Sequence, residues 1–191
     1  MEERGVDVDH STINRWVLKY TPLLEEEFKR RKRPVGTSWR MDETYIKVHG
    51  KWRYLYRDVG KYGDTIDFLL TAKRDENAAL RFLHKAIDNN GRPEKINIDG
   101  SAANAAAIKE YNKGYKTNIE RRSCRYLNNI VEQDHRFVKR RLRATLGLKT
   151  FRSAIITICG IELVHMIRKG QLDYDSSRLV SDFEQFFDLA A

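Results

Sequence analysis

Residues 39–60 read "WRMDETYIKVHGKWRYLYRDVG". Aromatic and β-branched residues crowd this stretch, and Gly50 interrupts it near the middle, which predicts two strands joined by a short turn. "GDTIDFLLTAKR" (63–74) has the same texture and predicts a third strand, set off by a turn over Gly60–Gly63. Three strands linked this way make an antiparallel meander.

Beyond the meander the period changes. "ENAALRFLHKAIDNNG" (76–91) puts Ala79, Phe82, Leu83 and Ile87 on one helical stripe and ends at Gly91. "PEKINIDGS" (93–101) predicts a short strand with Ile96 and Ile98 on one face. "AANAAAIKEYNKG" (102–114) predicts a second helix closed by Gly114, and "YKTNIERR" (115–122) a fifth strand. Residues 128–147 and 150–169 read as two more helices. The order β-β-β-α-β-α-β-α-α is that of the ribonuclease H-like fold, an α/β architecture whose mixed five-stranded sheet is flanked by helices.

Ahead of the strands, "STINRWVLKY" (11–20) predicts a short helix capped by Ser11, with Ile13, Trp16, Val17 and Tyr20 on its apolar face. Thr12, Asn14 and Arg15 point elsewhere, as they would in the second half of a helix-turn-helix that meets DNA. A plain helix packed on the main domain fits the same residues. The run "EEEFKRRKRPVG" (25–36) passes from acidic to basic and stops at Pro34 and Gly36, which marks a boundary. The expected division is 1–35, a partial helix-turn-helix and linker helix; 36–170, the core; and 171–191, a C-terminal tail.

The 36 Lys and Arg against 27 acidic residues give a net charge of +9 and a pI of about 9.6. That excess suits a polyanionic partner, nucleic acid foremost. Cys124 and Cys159 have no CxxC spacing, which argues against a disulfide scaffold and a zinc ribbon and for a reducing compartment. "MEERGVDVDH" lacks the apolar core of a signal peptide. "AIITICGIELVHMI" (154–167) is too short to span a bilayer and carries Glu162 and His165, so it reads as a buried helix and no membrane partner is expected.

The predicted order gives three acids positions. Asp42 falls in the first strand, at the middle of the sheet. Asp99 falls at the C-terminal end of the fourth, where ligands of α/β sheets gather. Glu132 heads a helix expected to cross the sheet. Two neighbouring carboxylates repel unless a cation lies between them. Oxygen ligands suit Mg²⁺ or Mn²⁺, and a pair of such ions serves phosphodiester chemistry. Along the helix, Glu132, Arg136, Lys139 and Arg143 share one face, with Arg140 among the same cations, while Val131, Val138 and Leu142 share the neighbouring face and can bury against the sheet. The cations would hold the phosphates beside the metal.

"MDETYIKVHGKWRYLYR" (41–57), "NID" (97–99) and "YLNNIVEQDHRFVKRR" (126–141), with "ERGVDVDHSTINRWV" (3–17), carry a resemblance to a known family. The chain resembles the DDE transposases of bacterial insertion sequences, the insertion sequence six group, over nearly all its length to about residue 170. The resemblance implies a DNA transposase with an integrase-type catalytic core. Such an enzyme cuts a strand at the element's end and transfers it into target DNA. It further implies Asp42, Asp99 and Glu132 as the metal-binding catalytic triad, Mg²⁺ (or Mn²⁺) as two ions, and Lys139, two turns beyond Glu132, as a contact to substrate DNA. Transposon ends and target DNA are the implied partners, a homo-oligomer the implied assembly, and the cytoplasm, at the nucleoid, the implied location. Against the family pattern, the chain is expected to hold only the end of the helix-turn-helix. Gly60 also stands where the family usually has an Asp.

Other readings compete. Glu132-x-x-His135 and Glu162-x-x-His165 could be ligand pairs of a di-iron helical bundle, although that needs four long helices. A DNA-binding transposase remnant without catalysis fits the charge equally well. A generic ribonuclease H-like nuclease differs from the transposase in lacking the Asn-Asn-x-x-Glu-x-Asp-His signature. Glu43, Asp64, Asp67 and Asp134 read as surface residues and caps, and His135 and His165 as packing residues. The aromatic run Trp52, Tyr54, Tyr56 reads as strand packing in preference to base stacking.

Overall fold

The computed structural model describes residues 8–143, 145, 147–173 and 180–190. They fall into two compact units, one spanning 34–147 and the other combining the chain's start, up to Arg33, with 148–191.

The first unit is built on one sheet. The meander forms as expected from β1 (Ser38–Val48), β2 (Lys51–Gly60) and β3 (Thr65–Thr71). His49 and Gly50 turn the first hairpin with φ of 47° and 75°. Positive φ at both central residues is what a two-residue turn needs to follow the strand twist, and glycine takes it without strain. β4 (Lys95–Ile98) then joins the far side of β1, and β5 (Glu120–Ser123) joins β4, both parallel, giving the order β3-β2-β1-β4-β5. β1 is thus central, with an antiparallel neighbour on one side and a parallel one on the other.

Period-two alternation sends the β1 side chains to two faces. Trp39 and Met41 enter the main core with Tyr56, Ile66, Ile96 and Ile98. This face is covered by α2 (Glu76–Asn90), through Ala79, Phe82, Leu83 and Ile87, and α3 (Ala102–Tyr115), through Ala107 and Ile108. Gly91 ends α2 at φ 80°, its N–H bonded to the Ile87 carbonyl. The opposite face receives α4 (Asn129–Arg143), entered through a short 3-10 helix at Arg125–Asn128. Val131 and Val138 are fully buried there. β5 differs from expectation: it lies at 120–123, on the sheet edge, with all four residues exposed.

In the second unit the expected short helix and linker helix are one element, α1 (His10–Arg31). It runs on through Pro22 despite the backbone hydrogen bond that proline removes. Acid-before-base pairs support its last turns, Glu25 with Lys29 at 2.7 Å and Glu26 with Arg30 at 2.6 Å. Asp9, not Ser11, is the cap, accepting from the N–H groups of Ser11 and Thr12 at 2.6 and 3.1 Å. The apolar face expected at 13–20 is not buried: Trp16 is 41% and Tyr20 45% exposed, and the buried side chains of α1 are Thr21 and Phe28. The turn expected ahead of the helix falls mostly on residues 1–7, outside the described residues.

α5 (Phe151–Arg168) packs on α1, where Gly160 lets the helices approach: a Cβ there would lie 3.3 Å from the Thr21 hydroxyl. The expected tail contains α6 (Asp182–Asp188), announced by a Ser181–Glu184 capping box that the sequence reading passed over. Among the described residues, no helix is long and apolar enough to cross a membrane.

Phe82 has no exposed surface and stacks near Tyr56, the ring centroids 5.8 Å apart. Phe82→Ala is expected to destabilise the sheet unit by roughly 3–5 kcal/mol. Urea unfolding measures this, and an unchanged midpoint would contradict the packing described.

Candidate active site

The parallel pairing of β1 with β4 aligns Ser38 with Lys95, Trp39 with Ile96 and Arg40 with Asn97. Asp42 and Asp99 each lie two residues beyond the last of these pairs, Asp99 just past the end of β4. Asp42 is buried, at 9% exposure, while Asp99 is exposed. Gly100 takes φ 98°, and Asp99 accepts from the Ser101 N–H at 3.2 Å, so the chain turns sharply into α3. Its carboxylate stabilises the turn that ends the strand.

The segment carrying Glu132 is held by asparagines. Asn97 on β4 bonds the Cys124 backbone in both directions, at 2.9 and 3.1 Å, and its amide donates to Asn128 at 2.5 Å. Asn128 in turn donates to the Met41 carbonyl at 3.5 Å, next to Asp42. The Asn residues of the "NID" and "NN" motifs therefore fix the entry into α4 relative to β1 and β4. Glu132 lies in the first turn of α4, exposed, where the helix dipole favours an anion.

Below it, α4 makes two polar contacts with the sheet. Asp134 accepts from the Arg57 guanidinium of β2 at 3.0 Å, and Arg57 is 0% exposed. His135 Nε2 lies 3.2 Å from Asp42 Oδ2. Which atom donates follows the histidine tautomer, Nε2 being the donor in the tautomer that carries its hydrogen there. Burial reverses the expectation of surface roles for Asp134, Glu43 and Asp67. The Glu43 side chain, on the α2–α3 face, is 2% exposed, paired with Arg74 and accepting from Asn104 at 2.9 Å. Its carboxyl is pushed up by burial, opposed by Asn104 and Arg74 and assisted by the charges of Asp42 and Asp99. Asp67 pairs with Lys85 and accepts from Asn89 at 2.7 Å. His135 is a partner of Asp42, not simply a packing residue.

The sequence holds one signal that could have found these contacts. Val131, Asp134, His135 and Val138 follow the i, i+3, i+4, i+7 stripe, and Arg57 shares the alternation of Leu55 and Val59. Polar residues at apolar positions mark a buried pair.

The remaining candidates lie where a helix face should put them. Arg136, Arg140 and Arg143 are exposed and Lys139 half-buried, with Arg140 and Arg141 over the Phe137 ring at 6.0 and 5.5 Å. Leu142 is half-buried. In the other unit, Asn14 and Arg15 are exposed; Thr12 hydrogen-bonds Asp9 at 3.1 Å and accepts from Arg15 at 2.9 Å. Tyr54 packs cross-strand on Tyr45 at 5.3 Å, Tyr56 is core, and Trp52 is 59% exposed with its edge to Tyr45.

The donor set of Asp42, Asp99 and Glu132 consists of hard carboxylate oxygens, which fits Mg²⁺ or Mn²⁺ and does not suit a thiophilic metal. Among the described residues, no three His, Cys, Asp or Glu side chains close around one point. That holds for Asp42, Asp99 and Glu132 as for the two Glu-x-x-His pairs, and it is the strands at 38–71 that overturn the di-iron bundle.

The sheet order places the protein in the ribonuclease H-like class, and comparison agrees. The catalytic core of HTLV-2 integrase matches 81% of the chain and 98% of its own length with a TM-score of 0.54 at 17% identity. That of BIV integrase matches 80% and 95%, with a TM-score of 0.52 at 16% identity. A DDE domain model, that of the IS240 transposase type, matches residues 36–171. The transposase of the insertion sequence-like element IS431mec from Staphylococcus aureus is 37% identical over 170 residues, 88% of this chain and 75% of the relative. The transposase of IS257 in transposon Tn4003, from the same species, is 37% identical over 167 residues, 87% and 73% of the two chains. The chain belongs to the DDE transposases of the insertion sequence six group. Its reaction is phosphodiester cleavage and strand transfer on DNA, and divalent-metal dependence comes with the domain.

One buried acid stands apart from this chemistry. Asp58 on β2 is 0% exposed, opposite Asp67 on β3, and neither of its oxygens has a hydrogen-bond partner among the described residues. Burial first, and the Asp67 charge second, push its carboxyl well above the ordinary range. The folded chain thus holds a proton there that the unfolded chain releases near its ordinary value. The contribution is full below that value and is lost as pH rises towards the folded one. Asp58→Asn is expected to flatten the decline of stability with rising pH; parallel melting curves against pH for both proteins would refute it.

Proposed function

We propose that Asp42, Asp99 and Glu132 are the catalytic carboxylates of this transposase and hold two Mg²⁺ (or Mn²⁺) ions. The observation that supports the reading is the β1–β4 register, whose last pair, Arg40 with Asn97, lies two residues before Asp42 and Asp99 alike, while α4, with Glu132 in its first turn, packs against β1. When bound, the ions supply Lewis-acid polarisation of the attacking and leaving oxygens. The chain's own residues do the rest. The asparagine brace fixes the approach of α4. Arg136, Lys139, Arg140 and Arg143 hold DNA phosphates along the helix, and Thr12, Asn14 and Arg15 contact DNA from α1.

The HTLV-2 integrase core is described in complex with magnesium and in a trimeric form. By analogy the chain works as a homo-oligomer on transposon ends and target, in the cytoplasm at the nucleoid. Asp42→Asn, Asp99→Asn and Glu132→Gln are each expected to reduce strand transfer to background while far-UV circular dichroism stays unchanged. Near wild-type transfer by any one of them removes that residue from the site. Uniform loss of activity in the parent chain, with DNA binding retained, would favour the remnant reading.

Lys139→Ala is expected to weaken DNA binding equally across sequences and to reduce the salt slope by about one phosphate. An unchanged slope in a salt titration counts against the contact.

A further inference from the structure

We infer that Asp134 and His135 are positioning residues for strand transfer: docked on Arg57 and Asp42, they set where Glu132 stands over the sheet. The inference rests on the catalytic reading of Asp42, Asp99 and Glu132.

Arg57 and Asp42 are register partners on neighbouring strands. Their side chains leave the same face at a Cβ separation of about 4.5–5.5 Å. Asp134 and His135 are consecutive on α4, roughly 100° apart around the helix axis. Each reaches a different strand, Asp134 to β2 and His135 to β1. Apolar contacts such as Val131 and Val138 resist separation of helix and sheet, but they yield to a small roll or slide. Two directional polar contacts at adjacent helix positions do not. They fix rotation and height together. Glu132 lies three residues before His135, on the neighbouring turn of the same side, so any roll of α4 displaces its carboxylate.

The burial of this pair makes a positional role the better account. Arg57 is 0% exposed, and the Asp134 side chain 11%. Desolvating two charges offsets most of their attraction, and well-packed apolar replacements of such pairs are often neutral or stabilising. Stability alone therefore gives little reason for an ion pair here. Location does, because the pair adjoins the carboxylate that His135 engages. His135 also occupies one oxygen of Asp42, which selects the oxygen left for a cation and fixes the carboxylate's orientation.

The test uses the full chain, with four variants beside the parent: His135→Ala, His135→Gln, the double variant Arg57→Met with Asp134→Leu, and Asp42→Asn as the control. Three readouts are taken: melting temperature, Mn²⁺ binding to the DNA-free protein by calorimetry, and strand-transfer kcat and KM for DNA. The inference expects the double variant to melt at or above the parent's temperature while kcat falls roughly 10–100-fold and KM for DNA holds. It expects His135→Ala to weaken Mn²⁺ binding over a similar range, with His135→Gln, which keeps an N–H donor, recovering most of it. If Asp42→Asn abolishes transfer while His135→Ala and the double variant match the parent in kcat and Mn²⁺ binding, the positioning role is overturned and the catalytic reading stands. If Asp42→Asn itself retains transfer, the catalytic reading fails first. Should the double variant not fold, the His135→Ala and His135→Gln comparison decides alone: equal Mn²⁺ affinity in both would overturn the inference.

Discussion

Everything in the sheet unit depends on β1 having different neighbours on its two sides. Antiparallel pairing with β2 extends the length of β1 and needs only a two-residue turn. Parallel pairing with β4 requires the chain to cross over, and α2 makes that crossover while supplying the apolar cover for one face. Because β4 is short and parallel, its end falls opposite the middle of β1. Asp42 and Asp99 each follow two residues after the last paired residues, Arg40 and Asn97. Strand register therefore brings both acids to the same end of the β1–β4 ladder.

The two faces of the sheet are made differently. The α2–α3 face is a close-packed apolar core, with acids such as Glu43 and Asp67 neutralised at its margins by Arg74 and Lys85. The α4 face is thinner and more polar. It combines fully buried valines with Arg57, Asp134, His135 and the Asn97–Asn128 brace. An apolar face tolerates small rearrangements of shape, whereas a hydrogen-bonded face admits few arrangements. The chain places the helix that carries Glu132 on the second kind.

Much of this was legible in the sequence. The meander, both crossover helices, the central place of β1 and the apolar stripe of α4 followed from alternation, helical period and glycine punctuation. The triad candidates followed from element order and from the family motifs. What escaped the reading is instructive in kind. Asp134 and His135 look like ordinary members of a charged helix until Arg57 and Asp42 are placed beneath them, and those partners are distant in sequence. The exposed Trp16 and Tyr20 misled for the opposite reason: an amphipathic pattern says that a face can be buried, not that anything covers it. The helix at 182–188 was missed because seven residues hold too little periodicity, although its capping box was in plain text.

β5 has a consequence of its own. All four residues, Glu120 to Ser123, are exposed, and two adjacent arginines occupy its centre. An open strand edge invites another strand, and a second copy of this chain would be an ideally matched one. Antiparallel self-pairing centred on these arginines would set positive charge against positive charge along a short ribbon, a repulsion eased by the Glu120–Arg122 pair at 2.8 Å within the strand. Charged side chains on an open edge discourage a sixth strand, and among the described residues the sheet stops at five.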